Sequence, residues 1–464
     1  MSTAMSIAPD QYPGMLSDLR GYFAQGSTRD LGWRDAQLQA MAKLLQDNED
    51  AIGQVLAEDL GKPAQEVLLG ELALLYSGIR YTRKRLKRWS RPRRVHTPLL
   101  GQPGRSWVQP EPLGVVLILG AWNYPFQLVF GPLIPVIAAG NCAVCKPSEI
   151  APRSSALMAE LIPKYLDERA VQVVEGAVEE TTGLLAQPFD HIIYTGGSAV
   201  GKIVMRAASE HLTPVTLELG GKSPCVIDCD ADLASAARRI IWGKCINSGQ
   251  SCIAPDYVLV RPEQRDGLIS AIESELDKMY GDDRLHSADY ANIVNPRHFE
   301  RIREYLKDGQ VVIGGAMDEA RHRMEPTVLV DVAPDAPVMR EEIFGPVLPI
   351  LTVDDLDEAI EFIRERDKPL AAYLFTRSSD SERRFVQTVS AGNMCINDVI
   401  MFMSVHELPF GGVGMSGMGQ YHGRAGFDRF SHLKAVMKRG RFPDPSVRFA
   451  PYADWKMKLL RLFG

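Results

Sequence analysis

Cys252 is the residue of this sequence with the clearest indication of a catalytic role. It ends the polar segment Asn247–Cys252, which joins a helical pattern to the apolar, strand-like run Tyr257–Val260. Gly249 permits a tight backbone there, and the amides around Cys252 can donate hydrogen bonds to a developing oxyanion. A cysteine in such a loop is a candidate nucleophile, because its thiolate attacks electrophilic carbon. An ordinary surface cysteine is the alternative interpretation.

Two polar residues near the ends of apolar runs have side chains that can assist such a nucleophile. Glu218 lies in the apolar run Val215–Leu219, and burial of a carboxylate there raises its pKa and suits it to general-base catalysis. Asn123 lies at a junction between a strand-like run and a helical pattern, where its amide can donate to an oxyanion. Nothing in the local pattern requires this role of Asn123.

A glycine-rich turn, Gly196–Gly201, is a candidate anion site. It follows the apolar run His191–Thr195 and leads into a helical pattern, so helix N–H groups would face a ligand at the end of a strand. Ile203 stands where a P-loop has serine or threonine, which disfavours a nucleotide triphosphatase. We therefore expect one pyrophosphate here, with a plain strand-to-helix turn as the alternative.

Lys146 and Glu149 follow the apolar run Cys142–Cys145 in a similar way. Lysine and glutamate at this point of a parallel sheet can hydrogen-bond ribose hydroxyls. A glutamate on the adenosine ribose accepts from the 2′-hydroxyl and repels a 2′-phosphate.

Other motifs are predicted to be structural. Residues Gly412–Gly417 match the GxGxxG string, but neither a strand before them nor a helix after them is predicted, so a loop is expected. Cys142, Cys145, Cys225 and Cys229 lie in apolar runs without zinc-site spacing, which favours packing residues over metal or redox chemistry.

The elements that must position these residues alternate along the chain. From residue 115 to 219, apolar runs alternate with helical patterns, which predicts a doubly wound parallel α/β domain. The pattern restarts near residue 222, with a helix predicted over Leu233–Cys245, and indicates a second α/β domain. Residues 30–60 are predicted to be helical.

The composition fits a large globular protein. The chain has 464 residues, of which 45% are hydrophobic and 24% charged, and its net charge of −6 disfavours a nucleic-acid binder. Nine basic residues between Arg80 and Arg94 are interpreted as a solvated helix end or a subunit contact. Seven cysteines indicate a reducing compartment rather than a disulfide scaffold. No signal peptide is expected, and the tail from Trp455 to Phe463 is too short to span a membrane.

In combination, these motifs resemble the aldehyde dehydrogenase superfamily, and most of all its class 3 branch, which includes fatty, aromatic and coniferyl aldehyde dehydrogenases. The ordered set covers nearly the whole chain and is specific, although each motif alone is modest. Its members are Trp122–Phe126, Lys146–Glu149, Thr195–Gly197, Leu217–Lys222, Gly249–Cys252, Glu341–Pro346 and Pro409–Gly412.

The resemblance implies roles for particular residues. Cys252 would be the nucleophile, Glu218 the general base, and Asn123 would form an oxyanion hole with the backbone amide of Cys252. The cofactor would be NAD, with NADP also possible, held at its adenosine ribose by Lys146 and Glu149. The full set of implied cofactor-binding residues is Trp122, Lys146, Glu149, Gly196, Gly197, Ser198, Gly201, Leu219, Glu342 and Phe344.

Glu342 would bind the nicotinamide ribose with Phe344 beside it, and residues 196–201 would lie at the pyrophosphate. Position 197 is glycine where relatives often carry serine or asparagine, so one contact to the pyrophosphate is expected to be missing.

The resemblance also implies an architecture. Residues 1–221 would form a Rossmann-like doubly wound NAD-binding domain, with part of a small bridging element near residues 80–100. Residues 222–397 would form an α/β catalytic domain, and residues 398–464 the rest of the bridging element and the C-terminal segment. A cytoplasmic homodimer without a stable membrane anchor is expected.

The implied reaction is oxidation of a medium- or long-chain aliphatic or aromatic aldehyde to the acid through a cysteine thioester. Glu218 favours hydrolysis of that thioester, because relatives that pass the acyl group to coenzyme A lack a glutamate at this position. A thiol hydrolase or esterase using Cys252, or a non-catalytic binding protein, are the alternatives.

Overall fold

The computed structural model describes residues 7–442, 444 and 446–461, which form a mixed α/β structure with two large sheets. The α-helices are α1 (Tyr12–Ala24), α2 (Leu31–Asp47), α3 (Glu49–Leu60), α4 (Ala64–Val67), α5 (Ala73–Trp89), α6 (Gln127–Ala139), α7 (Pro152–Tyr165), α8 (Val178–Leu185), α9 (Ser198–Ser209), α10 (Leu233–Cys245), α11 (Pro262–Tyr280), α12 (Pro296–Glu304), α13 (Pro337–Arg340), α14 (Leu356–Arg364), α15 (Ser379–Thr388), α16 (Gly423–Arg429) and α17 (Asp454–Leu460). A π-helical turn, Leu68–Leu72, connects α4 to α5.

The strands are β1 (Arg93–Val95), β2 (Gly104–Pro112), β3 (Val115–Leu119), β4 (Cys142–Lys146), β5 (Val171–Val173), β6 (His191–Thr195), β7 (Val215–Glu218), β8 (Pro224–Ile227), β9 (Tyr257–Val260), β10 (Gln310–Ile313), β11 (Met317–Asp318), β12 (Arg323–Met324), β13 (Thr327–Val330), β14 (Val347–Thr352), β15 (Ala371–Phe375), β16 (Asn393–Ile396), β17 (Gly417–Met418) and β18 (Ser431–Arg439).

The first large sheet has the strand order β17-β7-β6-β3-β4-β5. All neighbours are parallel except β17, which pairs antiparallel with β7 at the edge. The order of the five parallel strands is that of a Rossmann fold, and it reverses between β3 and β6. Every residue of β3 and β4 is buried, because these continuous apolar strands are covered on both faces. The predicted Rossmann-like, doubly wound sheet is confirmed.

The second large sheet has the order β10-β13-β14-β9-β8-β15-β16 and is parallel except for β10. Helices α10, α11 and α14 pack against it, and every residue of β8, β9, β13 and β15 is buried. This sheet confirms the second α/β unit that the sequence predicts. The boundaries at residues 221 and 397 stay predictions.

A third sheet joins distant parts of the chain. Strand β2 pairs antiparallel with β1 and, along all nine residues, with β18, from Ser431 opposite Pro112 to Arg439 opposite Gly104. Residues 104–112 therefore contact residues 431–439 directly, whereas the basic residues from Arg80 to Arg88 lie on helix α5. A bridging role for this sheet stays a prediction.

Several local predictions can be compared with the structure. Cys142, Cys145 and Cys225 are buried as expected, but the prediction for Cys229 is wrong, because it lies in an exposed turn beyond the end of β8. The helix predicted over residues 30–60 breaks at Asn48, whose side-chain amide donates to the Leu44 carbonyl and competes with the helical pattern.

The segment Gly412–Gly417 is the loop that its context predicts, with one short 3₁₀ turn at Gly414–Ser416. No helix among the described residues is long and apolar enough to cross a membrane. In the C-terminal tail, α17 covers most of the predicted apolar segment, while Leu462 and Phe463 lie outside the described residues, as do residues 1–6.

Candidate active site

A cleft of about 1250 Å³ is lined by loops from both large sheets. The first sheet contributes the segments that follow the carboxyl ends of β3, β4, β6 and β7, which we call the carboxyl edge. The second sheet contributes the segments that precede β8, β9, β14 and β15, which we call the amino edge. The cleft therefore lies at the position where open α/β sheets bind ligands, outside the carboxyl ends of strands at the point where the strand order reverses.

The three residues expected to perform chemistry all line this cleft, although they are far apart in sequence. Asn123 and Glu218 come from the carboxyl edge, and Cys252 from the amino edge. Asn123 and Glu218 are each only 3% exposed, and Cys252 is half-buried. The structure thus brings the predicted trio into one site.

The loop that carries Cys252 has an unusual backbone. Asn247 and Ser248, both with φ near +53°, and Gly249, with φ of +75°, are three consecutive residues in the left-handed region. A Cβ atom on Gly249 would lie 2.3 Å from the carbonyl oxygen of Gly345, so only glycine fits. Left-handed backbone is unfavourable for Asn247 and Ser248, and such strain is concentrated at functional sites.

The Cys252 thiol lies in an environment that favours its protonated form. Burial raises the pKa of Cys252 well above its usual range, and the nearby carboxyls of Glu342 and Glu218 raise this pKa further. A nucleophilic thiolate at this position therefore requires a base or a cationic partner close by.

Glu218 is the last residue of β7, between Thr195 of β6 and Gly417 of β17. Burial raises the pKa of its carboxyl well above the ordinary value, and the charge of Arg429 opposes this rise. Neither carboxyl oxygen has a hydrogen-bond partner among the described residues. A buried carboxyl with free oxygens and a high proton affinity has the properties of a general base.

Asn123 is tied to the Cys252 loop through both its backbone and its side chain. Its carbonyl oxygen accepts hydrogen bonds from Nζ of Lys62 at 2.8 Å and from Nδ2 of Asn247 at 2.9 Å. Its own Nδ2 donates to the carbonyl of Gln250 at 3.1 Å. A primary amide has two N–H groups, so the second donor of Asn123 is available for a substrate oxygen.

The predicted pyrophosphate turn lies at the start of helix α9, at the carboxyl end of β6. Gly197 is the N-cap residue, and Ser198 is the first residue of the helix. A Cβ atom on Gly201 would lie 2.9 Å from the Leu219 side chain, so the glycine allows close packing of α9 against β7. A helix start with free N–H groups at this edge fits a pyrophosphate.

Lys146 and Glu149 form a pair at the end of β4. Nζ of Lys146 donates to the Pro147 carbonyl at 3.1 Å and to Oε2 of Glu149 at 3.2 Å. The lysine is buried, whereas 44% of the Glu149 side chain is exposed. The glutamate carboxylate can therefore reach a ligand in the cleft while the lysine fixes its position.

Glu342 lies opposite, on the amino edge. Its Oε2 occupies space that exists because residue 220 is glycine, since a Cβ there would lie 1.9 Å from that oxygen. Burial, reinforced by Asp256, raises the pKa of Glu342 to about 8, and Lys222 opposes the rise. Its Oε1 is buried without a hydrogen-bond partner among the described residues, which fits a carboxylate that binds a ribose hydroxyl.

Phe344, with φ of +49°, packs edge-on against Trp122 at a centroid distance of 5.4 Å.

Two cleft residues were not predicted from the sequence. The His298 ring lies 5.2 Å from that of Trp122, and burial lowers the pKa of His298 to about 4, so this imidazole is neutral near pH 7. Arg301 donates to the carbonyl of Ile343 at 2.8 Å and supports the Glu342 loop. Both are on α12, whose start at Asn295-Pro296 is readable from the sequence but whose position in the fold is not.

Comparisons with known proteins agree with this site. A model of the aldehyde dehydrogenase family matches residues 19–436. The chain belongs to the aldehyde dehydrogenase family. Aldehyde dehydrogenase family 3 member H1 of Arabidopsis thaliana is 48% identical over 452 residues, which cover 96% of this chain and 93% of that protein. The rat (Rattus norvegicus) protein named "Aldehyde dehydrogenase, dimeric NADP-preferring" is 46% identical over 418 residues, which cover 90% and 92% of the two chains.

The fold of this chain is also similar to that of a solved aldehyde dehydrogenase structure. The substrate-bound structure of Staphylococcus aureus AldH superposes with a TM-score of 0.95 at 43% identity, covering 97% of this chain and 99% of the other. This aldehyde dehydrogenase is therefore an oxidoreductase that oxidises an aldehyde with NAD or NADP. The resemblance to the class 3 branch is confirmed, and neither a thiol hydrolase nor a non-catalytic binding protein is favoured.

Proposed function

We propose that Cys252 is the nucleophile of this aldehyde dehydrogenase, that Glu218 is its general base and that Asn123 stabilises the oxyanion. The observation that carries this proposal is the convergence of the three side chains on one cleft from two loops and the end of strand β7. Each has the physical property that its role needs: a thiol beside backbone amides, a carboxyl with a raised pKa, and an amide with one free donor.

In the first step the Cys252 thiol loses its proton to solvent water, and the resulting thiolate attacks the aldehyde carbon, which forms a C–S bond and moves an electron pair onto the carbonyl oxygen. The free N–H of Asn123 and the backbone N–H of Cys252 donate to this oxyanion. The Gln250 carbonyl fixes the Asn123 amide, so these donors are oriented before the reaction. Preorganised donors of this kind stabilise a transition state without reorganisation at the moment of reaction.

A nicotinamide cofactor, when bound, would supply the acceptor for the hydride that leaves the adduct carbon, and the acyl group would then remain on Cys252 as a thioester. Residues of both edges fit such a cofactor. The N-terminus of α9 would hold the pyrophosphate, Lys146 and Glu149 the adenosine ribose, and Glu342 the second ribose. Trp122 and Phe344 form the apolar wall beside Glu342.

The last step is hydrolysis of the thioester. Glu218 takes a proton from water, the resulting hydroxide attacks the acyl carbon, and the Cys252 sulfur leaves as the carboxylic acid is released. The high proton affinity of the buried Glu218 carboxyl supports this assignment. Hydrolysis, rather than transfer to coenzyme A, follows from the presence of a carboxyl base at this position.

NAD is the preferred cofactor in this proposal, with NADP also accepted. The partly exposed carboxylate of Glu149 would accept from a 2′-hydroxyl and repel a 2′-phosphate, while the adjacent Lys146 ammonium moderates that repulsion. The expected result is a higher kcat/KM with NAD than with NADP. Glu149→Gln is expected to narrow this ratio, and an unchanged ratio would contradict the assignment.

The substrate is proposed to be a medium- or long-chain aliphatic or an aromatic aldehyde. A panel of short and long aliphatic, benzylic and cinnamyl aldehydes tests this, with kcat/KM measured by the near-ultraviolet absorbance of the reduced nicotinamide. Highest kcat/KM with acetaldehyde-sized substrates would contradict the substrate class. An absence of aldehyde-dependent absorbance with every member would contradict the reaction.

A cytoplasmic homodimer is the proposed form of the protein. Strand β18 is an edge strand of nine residues with exposed Leu433 and Met437, and an unpaired apolar edge is a candidate for pairing with a second copy. All seven cysteines are free thiols, in keeping with a reducing compartment. Sedimentation analysis checks the dimer, and a monomer at micromolar concentration would contradict it.

A further inference from the structure

A buried charged cluster lies behind the cleft, outside the residues assigned so far. It consists of Lys62, Glu66 and Glu71, which belong to the segment between the end of α3 and the start of α5. Lys62 and Glu71 have fully buried side chains whose Nζ and Oε1 atoms lie 2.7 Å apart. The Nζ atom is also 4.0 Å from the centre of the Tyr124 ring. None of these residues lines the cleft.

The local backbone directs these side chains inward. Helix α3 ends at Leu60, and the left-handed φ of +64° at the following Gly61 turns the chain so that Lys62 enters the interior. Glu71 lies in the π-helical turn Leu68–Leu72, which changes the face that a helix presents and is frequent at functional sites. A glycine helix cap and an uncommon π-helical turn thus place the two members of one buried ion pair.

The ion pair binds main-chain atoms of the catalytic loop. Lys62 donates to the carbonyl oxygen of Asn123 at 2.8 Å, and Oε2 of Glu71 accepts from the backbone N–H of Gln127, the first residue of α6, at 2.8 Å. The segment from Asn123 to the start of α6 is therefore held at both ends by the same pair.

The third member of the cluster holds the opposite loop. Oε2 of Glu66 accepts from the backbone N–H of Asn247 at 2.8 Å, at the first of the left-handed residues before Cys252. Asn247 in turn donates to the Asn123 carbonyl at 2.9 Å. One short segment of the chain therefore contacts both loops whose relative position sets the distance between Asn123 and Cys252.

Stability alone does not account for such a pair. Transfer of two charges from water to the interior carries a large desolvation penalty, and well-packed apolar residues of similar volume often stabilise a fold equally well. The hydrogen bonds of this buried pair to the backbone fix the positions of the loops that carry catalytic groups. Such positioning affects activity, because a small displacement of a catalytic group lowers the rate strongly.

We propose that Lys62, supported by Glu71 and Glu66, is a positioning residue for aldehyde oxidation that fixes the Asn123 amide against the Cys252 loop. This inference rests on the proposed role of Asn123 in the oxyanion hole. Lys62 acts only through Asn123, so its effect depends on the presence of the Asn123 side chain.

A double-mutant cycle tests this dependence. The variant Lys62→Met/Glu71→Gln removes both charges together and leaves none buried without a partner. Its kcat/KM for an aldehyde is expected to fall about 10- to 100-fold in the parent enzyme. In the Asn123→Ala background, the same double substitution is expected to change kcat/KM less than about twofold, because positioning of an absent amide has no effect.

The kinetic isotope effect with a C1-deuterated aldehyde supplies a second readout. Poor stabilisation of the oxyanion slows the steps up to hydride transfer, so the isotope effect on kcat is expected to rise in Lys62→Met/Glu71→Gln. A loss of correctly folded enzyme lowers kcat without changing this ratio. Lys43→Met/Asp47→Asn removes an exposed lysine–carboxylate pair on α2 and is the matched control, expected to leave both quantities unchanged.

Glu66→Ala provides an independent route if the double variant does not fold. It removes the acceptor of the Asn247 N–H and leaves the ion pair intact, and it is expected to show the same dependence on Asn123. Equal losses in the parent and Asn123→Ala backgrounds, or no loss in either, would overturn the role of Lys62 alone. An unchanged kcat/KM for Asn123→Ala by itself would overturn both this role and the proposed oxyanion hole.

Discussion

The two edges that form the cleft are built in different ways. On the carboxyl edge, several functional residues sit at a strand end or at a helix start, as Glu218 does at the end of β7 and Ser198 at the start of α9. On the amino edge, they lie in irregular loops with left-handed residues, such as Asn247, Ser248 and Phe344. A helix start at a strand end is sufficient to bind a pyrophosphate, whereas the nucleophile lies on a left-handed backbone that tertiary packing must maintain.

The largest loss of activity on substitution is expected at the nucleophile, on the amino edge. Cys252→Ala is expected to lower kcat for aldehyde oxidation at least about 10³-fold, because no other group can form the thioester. Cofactor affinity is expected to change less than about tenfold, since the pyrophosphate turn lies on the other edge. Steady-state kinetics and cofactor fluorescence titration measure the two effects. Cys395→Ala, at another half-buried cysteine, is the control, and residual oxidation by Cys252→Ala near the parent rate would contradict the assignment.

The next effect in size is expected on the carboxyl edge at Asn123. Removal of one oxyanion donor in Asn123→Ala is expected to lower kcat by about 10²- to 10³-fold. Asn123→Asp replaces the donor by an acceptor that repels an oxyanion, so its loss is expected to be at least as large. Stopped-flow measurement of the first turnover locates the loss before hydride transfer. A defect confined to thioester hydrolysis would contradict this role.

A matched pair of glycine substitutions tests the contact between the carboxyl edge and Glu342 of the amino edge. In Gly220→Ala the new Cβ would lie 1.9 Å from Oε2 of Glu342, so the carboxyl must move and the KM for the cofactor is expected to rise about tenfold. In Gly197→Ala the new Cβ would meet no atom within 4 Å, and φ is −75°, so little change is expected. Equal KM values for the two variants would show that Glu342 does not contribute to cofactor binding.

The smallest effect is a pH dependence of stability at Glu342. The folded chain holds the proton of this carboxyl up to about pH 8, whereas the unfolded chain releases it near the ordinary pKa of 4.5. Stability is therefore lost as the pH rises between these two values, since unfolding releases the proton there. Glu342→Gln is expected to be more stable than the parent at about pH 8 and to lose that advantage at about pH 5, by urea unfolding. The exposed neighbour Glu341→Gln is the control, and a pH-independent difference for Glu342→Gln would contradict the raised pKa.

The sequence predicts the functional residues of the carboxyl edge better than those of the amino edge. The reason is again the contrast between strand ends and irregular loops. The apolar runs before Lys146, Gly196 and Glu218 predict strands, and the structure contains each of them as β4, β6 and β7. A residue at the end of such a strand can be assigned to a sheet edge without further information, because parallel strands share one direction.

On the amino edge, the local sequence predicts fewer of the functional residues. Glu342 and Phe344 were identified only through the family resemblance, and His298 was not identified, since the packing of α12 over Trp122 depends on distant parts of the chain. The buried pair of Lys62 and Glu71 was missed for a related reason. Lysine and glutamate side chains are expected to be exposed, and only the π-helical turn and the chain reversal after α3 bring these two inside.

The central claim is that the edges cooperate in one reaction, with a thioester formed on Cys252 and hydrolysed by Glu218. Intact-protein mass spectrometry of Glu218→Gln, quenched during turnover with an aldehyde and NAD, tests it most directly. The variant is expected to accumulate the mass of one acyl group, retained on Cys252 and absent from Cys252→Ala/Glu218→Gln, while the first hydride transfer proceeds near the parent rate. An unchanged steady-state rate with no acylated protein would contradict it.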